Sequence, residues 1–246
     1  MISIKKPLFL VGDIHRNTRN VIKTIERVGL KDISMIFLGD IGIFKFYDRF
    51  EYKELDEFFS ERKIDGYFFR GNHDNPIFFR NCKRGNDFFS LFKNIKSIRD
   101  LEEIEYNGEI GIVIPGGISI DRVWRKPDVS YWYDENMPDV SLVPDKKYDF
   151  VLAHTGMPPQ SHYKLDSSLL SSFLQKDATL ESELLEERSN IDKIIEKISP
   201  KKWICGHFHI NNVFPYKGTE FIILDIDTIY EFKITKSRRG DLNSKP

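Results

Sequence analysis

Six histidines occur in the chain, His15, His73, His154, His162, His207 and His209, and five of them follow a short apolar run. Asp13 and His15 come after the run 7–11, and Asp40 after 35–38. Asn72 and His73 come after 67–69, His154 after 150–153, and His207 with His209 after 203–205. Carboxylate, imidazole and amide oxygen are the donors that hard or borderline divalent cations take. Asp13 with His15, and His207 with His209, stand at i and i+2, a spacing that turns two side chains the same way in an extended segment. A glycine beside most of these positions lets the backbone turn sharply and approach closely. Seven donors are therefore expected at one sheet edge: Asp13, His15, Asp40, Asn72, His154, His207 and His209.

Their charges do not balance a pair of cations. Asp13 and Asp40 bring two negative charges, while the imidazoles and the Asn72 amide bring none. Two divalent ions would leave an excess of about two positive charges. That excess suits a phosphate ester. It also pulls the pKa of a water shared by the ions toward ~7, giving a bridging hydroxide as nucleophile near neutral pH.

The elements that must deliver these donors follow from hydrophobic spacing. The apolar runs are short and continuous and end in glycine or polar residues, the pattern of strands covered on both faces. Val21, Ile22, Ile25 and Val28 recur at helical spacing, with Asn17 or Thr18 as the cap. Leu55, Phe58 and Phe59 mark a second helix. Alternating strands and helices predict βαβ units, and open sheets of that kind build sites beyond the carboxyl ends of their strands. A further strand is expected over 110–114. The segments 221–224 and 229–232 are expected to pair as a hairpin. Residues 160–199 are polar. Leu184, Leu185, Ile191, Ile194, Ile195 and Ile198 share one helical face there, so the segment is expected to be a helical insertion or a lid over the site. A single domain over 1–234 and a frayed tail over 235–246 complete the layout.

Five blocks in order resemble the calcineurin-like metallophosphoesterase superfamily: Gly12-Asp13-Ile14-His15, Gly39-Asp40, Gly71-Asn72-His73-Asp74, His154, and Gly206-His207-Phe208-His209. They span residues 12–209. The resemblance implies an α/β fold, a four-layer α/β/β/α sandwich of two mixed sheets with flanking helices. It also implies a phosphoesterase with two divalent metal ions, manganese first, with iron, zinc or nickel as alternatives. By that resemblance Asp13, His15 and His209 would hold one ion, and Asn72, His154 and His207 the other, with Asp40 bridging them. His73 would act as general acid on the leaving group or bind the phosphate, and Asp74 would orient His73. The chain departs from the Ser/Thr phosphatases of the superfamily. Asp40 is not followed by their Asp-Arg-Gly triplet, and the third block ends in Asp74 rather than glutamate. The stretch 116–122, with Trp132 and Glu135 downstream, instead looks like bacterial and phage members.

Other residues invite weaker readings. Arg122, ahead of Arg125, is the candidate to contact phosphate as a forked donor. Tyr131, Trp132 and Tyr133 either wall a pocket or pack a loop. His162 either lines the cleft or sits on the surface. Cys205 reads as a small buried residue, and Cys82 suggests no role. The chain has 246 residues, 40% hydrophobic and 30% charged, with a formal net charge of −1. That balance gives no nucleic-acid signal. No apolar stretch reaches a membrane span, no signal peptide is apparent, and two distant cysteines fit a reducing compartment, so a cytoplasmic protein is expected. A nuclease or nucleotide phosphodiesterase is the alternative within hydrolases. A non-catalytic scaffold of the same fold is the alternative outside them. The substrate and the oligomeric state are left open.

Overall fold

The computed structural model describes residues 1–80, 88–159 and 167–234. Two sheets carry the fold. The first holds seven strands: β1 (Ile2–Ile4), β6 (Glu103–Tyr106), β7 (Glu109–Ile114), β8 (Phe150–Ala153), β9 (Lys202–Cys205), β11 (Thr219–Ile223) and β10 (Asn212–Tyr216), in that spatial order. The β6–β7 and β10–β11 pairs are antiparallel and the others parallel. The second sheet sets β2 (Leu8–Val11), β3 (Ser34–Phe37), β4 (Asp65–Phe68) and β5 (Ile95–Ser97) in parallel, with β12 (Ile229–Glu231) antiparallel beside β2.

Alternation along the strands separates three apolar layers. Leu8, Leu10, Ile36 and Leu38 point from the five-stranded sheet toward Val113, Leu152, Ile204 and Ile222 of the seven-stranded one. Their neighbours Val11, Met35 and Phe37 point the other way, onto α1 (Thr18–Val28) and α2 (Lys53–Arg62) through Val21, Ile25, Leu55 and Phe59. On the far side, Ile112, Val151 and Trp203 meet Ile191, Ile194, Ile195 and Ile198 of α5 (Leu180–Ile198). Helix, sheet, sheet and helix thus form the four layers expected from the sequence. The central strands have both faces buried, which explains their unbroken apolar runs. A fully buried aliphatic side chain contributes about 1.5–3 kcal/mol relative to an exposed one, so the three layers dominate stability.

Some sequence expectations need correction. The helical faces are narrower than read: Val28 is 60% exposed and Leu185 also 60% exposed. The segments 221–224 and 229–232 do not pair with each other. β11 pairs with β10, and β12 crosses to the other sheet to pair with β2. The polar turn between them is therefore a crossing between sheets. The true hairpin partner, 212–216, lacks a strand signature because Pro215 interrupts it and its residues are only half-buried or exposed. His162, Cys82 and the tail 235–246 lie outside the described residues. Among the described residues no helix is long and apolar enough to cross a membrane.

One buried cation braces the loop after β7. Arg70 has no exposed surface. It donates to Asp100 at 2.9 and 3.1 Å, to the Glu135 carbonyl at 2.8 Å and to the Asn136 carbonyl at 3.0 Å. Replacing Arg70 by Met keeps the bulk but strands one acid and two carbonyls. Arg70→Met is expected to lower unfolding free energy by about 3 kcal/mol, read from urea denaturation. A change within error of zero would show that the brace does not stabilise the fold.

Candidate metal centre

The seven donors named from the sequence all lie past strand ends, and they converge where the carboxyl ends of the two sheets meet. Asp13, Asp40 and Asn72 follow β2, β3 and β4 of one sheet. His154 follows β8, and His207 and His209 follow β9, of the other. Gly71 and Gly206 allow the close approach: a Cβ on Gly71 would collide with the Asp40 carboxylate, and one on Gly206 with that of Asp13.

The convergence of Asp13 with His15 and of His207 with His209 does not come from extended backbone. β2 ends at Val11 and β9 at Cys205. His15, Asp40, His207 and His209 have φ of 42°, 48°, 69° and 50°. Each left-handed non-glycine residue costs on the order of 1 kcal/mol, a strain that concentrates at functional sites. The chain coils after each strand, and this coiling turns the donors inward.

Two sets of donors result. The His209 Nε2 lies 3.2 Å from Asp13 Oδ2 and 3.0 Å from His15 Nε2. The Asn72 side-chain oxygen lies 2.7 Å from His154 Nε2 and 3.0 Å from His207 Nδ1. Asp40 stands between them, with Oδ1 3.3 Å from His154 Nε2 and Oδ2 4.0 Å from His15 Nε2. Three groups, Asp13–His15–His209, His15–Asp40–His73 and Asp40–His154–His207, each bring their ligand atoms within 4.8 Å of one another and can hold a metal ion.

Neighbouring groups aim these donors. The Nδ1 of His154 donates to the Leu38 carbonyl at 2.8 Å, which aims Nε2 at the Asn72 and Asp40 oxygens. The Asn72 amide nitrogen donates to Ser119 Oγ at 2.9 Å, so its oxygen must face the imidazoles. Ser119 in turn donates to buried Glu135 through its hydroxyl at 2.6 Å and its backbone N–H at 2.7 Å. The His207 N–H donates to both Asp13 oxygens, at 3.0 and 3.1 Å.

The electrostatics fit a cation. Burial would raise the Asp40 carboxyl, but His154, His73 and His15 outweigh it and hold it well below the usual range. Burial would lower His154, yet Asp40 and Asp13 push it up to about 10. Burial and the neighbouring His154 hold His207 well below its ordinary value. The buried carboxylates thus draw positive charge to the place where a metal would sit, and a metal there competes with protons for the imidazoles.

The sequence pattern of the calcineurin-like phosphoesterases matches residues 6–211. The chain belongs to that family. Its members are metal-dependent phosphoester hydrolases, which the donor set fits. No curated protein matches the chain. Among solved structures, the TT1561 protein of Thermus thermophilus shares the fold at a TM-score of 0.53 and 10% identity, over 90% of this chain and 89% of that one. An archaeal phosphodiesterase is more distant in shape, at a TM-score of 0.39 and 12% identity over 89% of this chain and 83% of that one.

Other residues of this phosphoesterase depart from their expected places. Arg122 is turned away from the donors and fully engaged: it donates to Asp177 at 2.6 Å and to Glu183 and Thr179 at 2.9 Å. With its fork filled by two acids, it has no donor free for phosphate. Arg125 is the arginine that reaches the site. Its Nη2 lies against His73 Nε2 and pairs with Asp121 at 2.6 Å, while its buried Nη1 has no hydrogen-bond partner. Asp74 does not orient the His73 ring. Its carboxylate instead accepts the backbone N–H groups of Ile41, Gly42, Ile43 and Gly71, at 2.7–3.2 Å, and so frames the Asp40 loop. Trp132 packs against Phe44, with ring centroids 5.7 Å apart, and Tyr133 is exposed. Cys205 is buried as expected.

Sequence reading missed Ser119 as a link and Glu187 altogether. Glu187, on α5, is buried and accepts the Thr155 hydroxyl at 3.0 Å. Burial pushes its carboxyl up to about 7, against the Thr155 hydrogen bond, which lowers it. The folded chain therefore holds a proton that the unfolded chain, at about 4.3, gives up. The stability this provides is complete below that unfolded value and is lost as pH rises through about 7. Glu135, also raised to about 7 chiefly by burial, adds a slope of the same sign. Glu187→Gln is expected to melt higher than the parent at about pH 8.5 and level with it at about pH 4. Parallel melting curves at both pH values would refute the assignment.

Proposed function

We propose that the chain hydrolyses phosphate esters with two divalent cations, one held by Asp13, His15 and His209, the other by Asn72, His154 and His207, with Asp40 shared. The position of the Asp40 carboxylate carries this reading: its two oxygens face opposite donor sets, Oδ1 toward His154 and Oδ2 toward His15. When bound, such a cation pair supplies Lewis acidity and a nucleophile at neutral pH. Manganese is the first choice, with iron, zinc or nickel as alternatives, because imidazole and carboxylate donors suit them all.

The chain's own residues then do the rest. Arg125 can only donate, so His73 Nε2 must accept from it, and the ring is neutral in this arrangement. Burial, with Arg125 adding, lowers the His73 pKa even though Asp40 raises it. A dianionic phosphate is a stronger acceptor than an imidazole. Its arrival draws the Arg125 fork onto the phosphate and releases Nε2 toward the leaving oxygen. His73 is then placed to bind the ester; the negative charge of the phosphate raises the proton affinity of the imidazole, so Nε2 takes a proton from water and passes it to the departing group. Asp74 holds the Asp40 turn through four backbone N–H groups while this happens. The His73 backbone N–H, at 2.8 Å from Asp40 Oδ1, ties the two together.

Among the described residues that line the cleft, the cations other than histidine are Arg125 and Arg188. Two isolated arginines do not make the continuous basic track that a nucleic-acid strand needs. A small phosphate ester is favoured over a polynucleotide on that ground.

The purified chain, stripped with a chelator and reloaded with manganese, is expected to hydrolyse a generic aryl phosphate only in the loaded form, and Asp40→Ala is expected to lose both metal and activity. Undiminished turnover after strict metal removal would overturn the proposal. His73→Ala should retain the metals by elemental analysis and lose roughly 10²–10⁴ in rate. Normal turnover in that variant would remove His73 from the mechanism.

A further inference from the structure

Four of the donors, Asp40, Asn72, His207 and His209, form the floor of a cleft of about 430 Å³. Its walls come from outside the strand ends. The loop after β7 contributes Ile120, Asp121 and Arg125, and the helices α4 (Ser167–Leu174) and α5 contribute Phe173, Leu184, Glu187 and Arg188. Arg122 fastens these two walls together through Asp177 and Glu183, and Trp124 packs edge-on against Phe173 with ring centroids 4.9 Å apart. The cleft is therefore walled by secondary structure tied in place.

Its charges are unequally satisfied. Asp121 is paired with Arg125 at 2.6 Å. Glu187 accepts the Thr155 hydroxyl. Arg188 is half-buried, and among the described residues no acid bonds it or pairs with it within 4.0 Å; the neighbouring Glu187 attracts it only through space. A half-buried guanidinium has lost much of its hydration and gains strongly from a forked anionic partner. The apolar part of the lining is formed by Ile120, Met157, Phe173, Leu184 and Phe208. The volume suits a small molecule and is too small for a folded protein segment or a duplex.

Resting on the phosphoesterase reading above, we propose that the cleft selects a small phosphate ester whose leaving group joins an apolar body to a second anionic group, and that Arg188 receives that second anion. The scissile phosphate sits over the donors beside Arg125. The apolar body lies against Phe208 and Met157. The distal anion takes the free fork on α5. An ester with the same body and a neutral polar end leaves Arg188 unpaired, so discrimination is by charge and appears in KM.

The test compares carboxyphenyl phosphates, substituted at the meta or para position, with the matching carbamoylphenyl phosphates, in the manganese-loaded full chain. The quantity read is the ratio of kcat/KM for the acid over the amide, which cancels shared effects on chemistry. The parent is expected to favour the acid. Arg188→Gln is expected to lower the ratio by on the order of tenfold, through KM, as removal of a charge-assisted hydrogen bond does. Arg188→Lys should restore part of it. A ratio unchanged in Arg188→Gln overturns the proposal. If Arg188→Gln fails to fold by circular dichroism, Arg188→Met, which keeps the bulk and removes the charge, takes its place, and an unchanged ratio there is equally fatal. If the parent hydrolyses neither ester, the phosphoesterase reading itself falls, and this one with it. If the parent hydrolyses both and Arg188 does not affect the ratio, only this inference falls.

Discussion

Two carboxylates, Asp13 and Asp40, are buried within one ring of imidazoles, and neither is paired with an arginine or a lysine among the described residues. Buried like charges are costly unless positive charge comes with them. Every nearby feature answers that cost. His154 is held in a charged form by the two acids, the backbone N–H of His207 bonds both Asp13 oxygens, and the N–H of His73 bonds Asp40. A bound metal cation would neutralise the acids more completely. The arrangement is therefore unfavourable as plain structure and favourable as a metal centre, which is the physical reason to read it as one.

The left-handed turns belong to the same constraint. Four donor residues take positive φ, and the surroundings must hold them there. Asp74 does so for Asp40, by accepting the three N–H groups that follow it in the chain. Arg70 acts at longer range on a donor that carries no such strain, since it fixes the loop carrying Glu135, which bonds Ser119, which turns the Asn72 amide. Their work is to keep the donors aimed.

Much of this was legible in the sequence. The donors are marked by type, by glycine neighbours and by apolar runs, and alternation within those runs tells which face meets the helices. The parts that were not legible share a cause. Arg122 and Arg125 look alike in a string, and only the fold shows that Asp177 and Glu183 occupy the first. Asp74 follows a histidine whose ring it does not bond, because its carboxylate turns toward the backbone of residues 41–43. The strand 229–231 sits close in sequence to 219–223 but belongs to another sheet, and nothing local to the turn records that crossing. Local pattern reports burial and donor chemistry; it does not report which distant partner claims a side chain.

The donor set is drawn from both sheets: Asp13, His15, Asp40 and Asn72 from the five-stranded one, and His154, His207 and His209 from the other. The layer of Leu10, Ile36, Leu152 and Ile204 between the sheets is thus a spacer gauge as well as a core. A slip of one sheet past the other by a single residue, about 3.4 Å, is as large as the distances that separate the donors themselves. Side-chain volume deep in that dry seam, away from the donors themselves, therefore calibrates how far apart the two halves of the donor set stand.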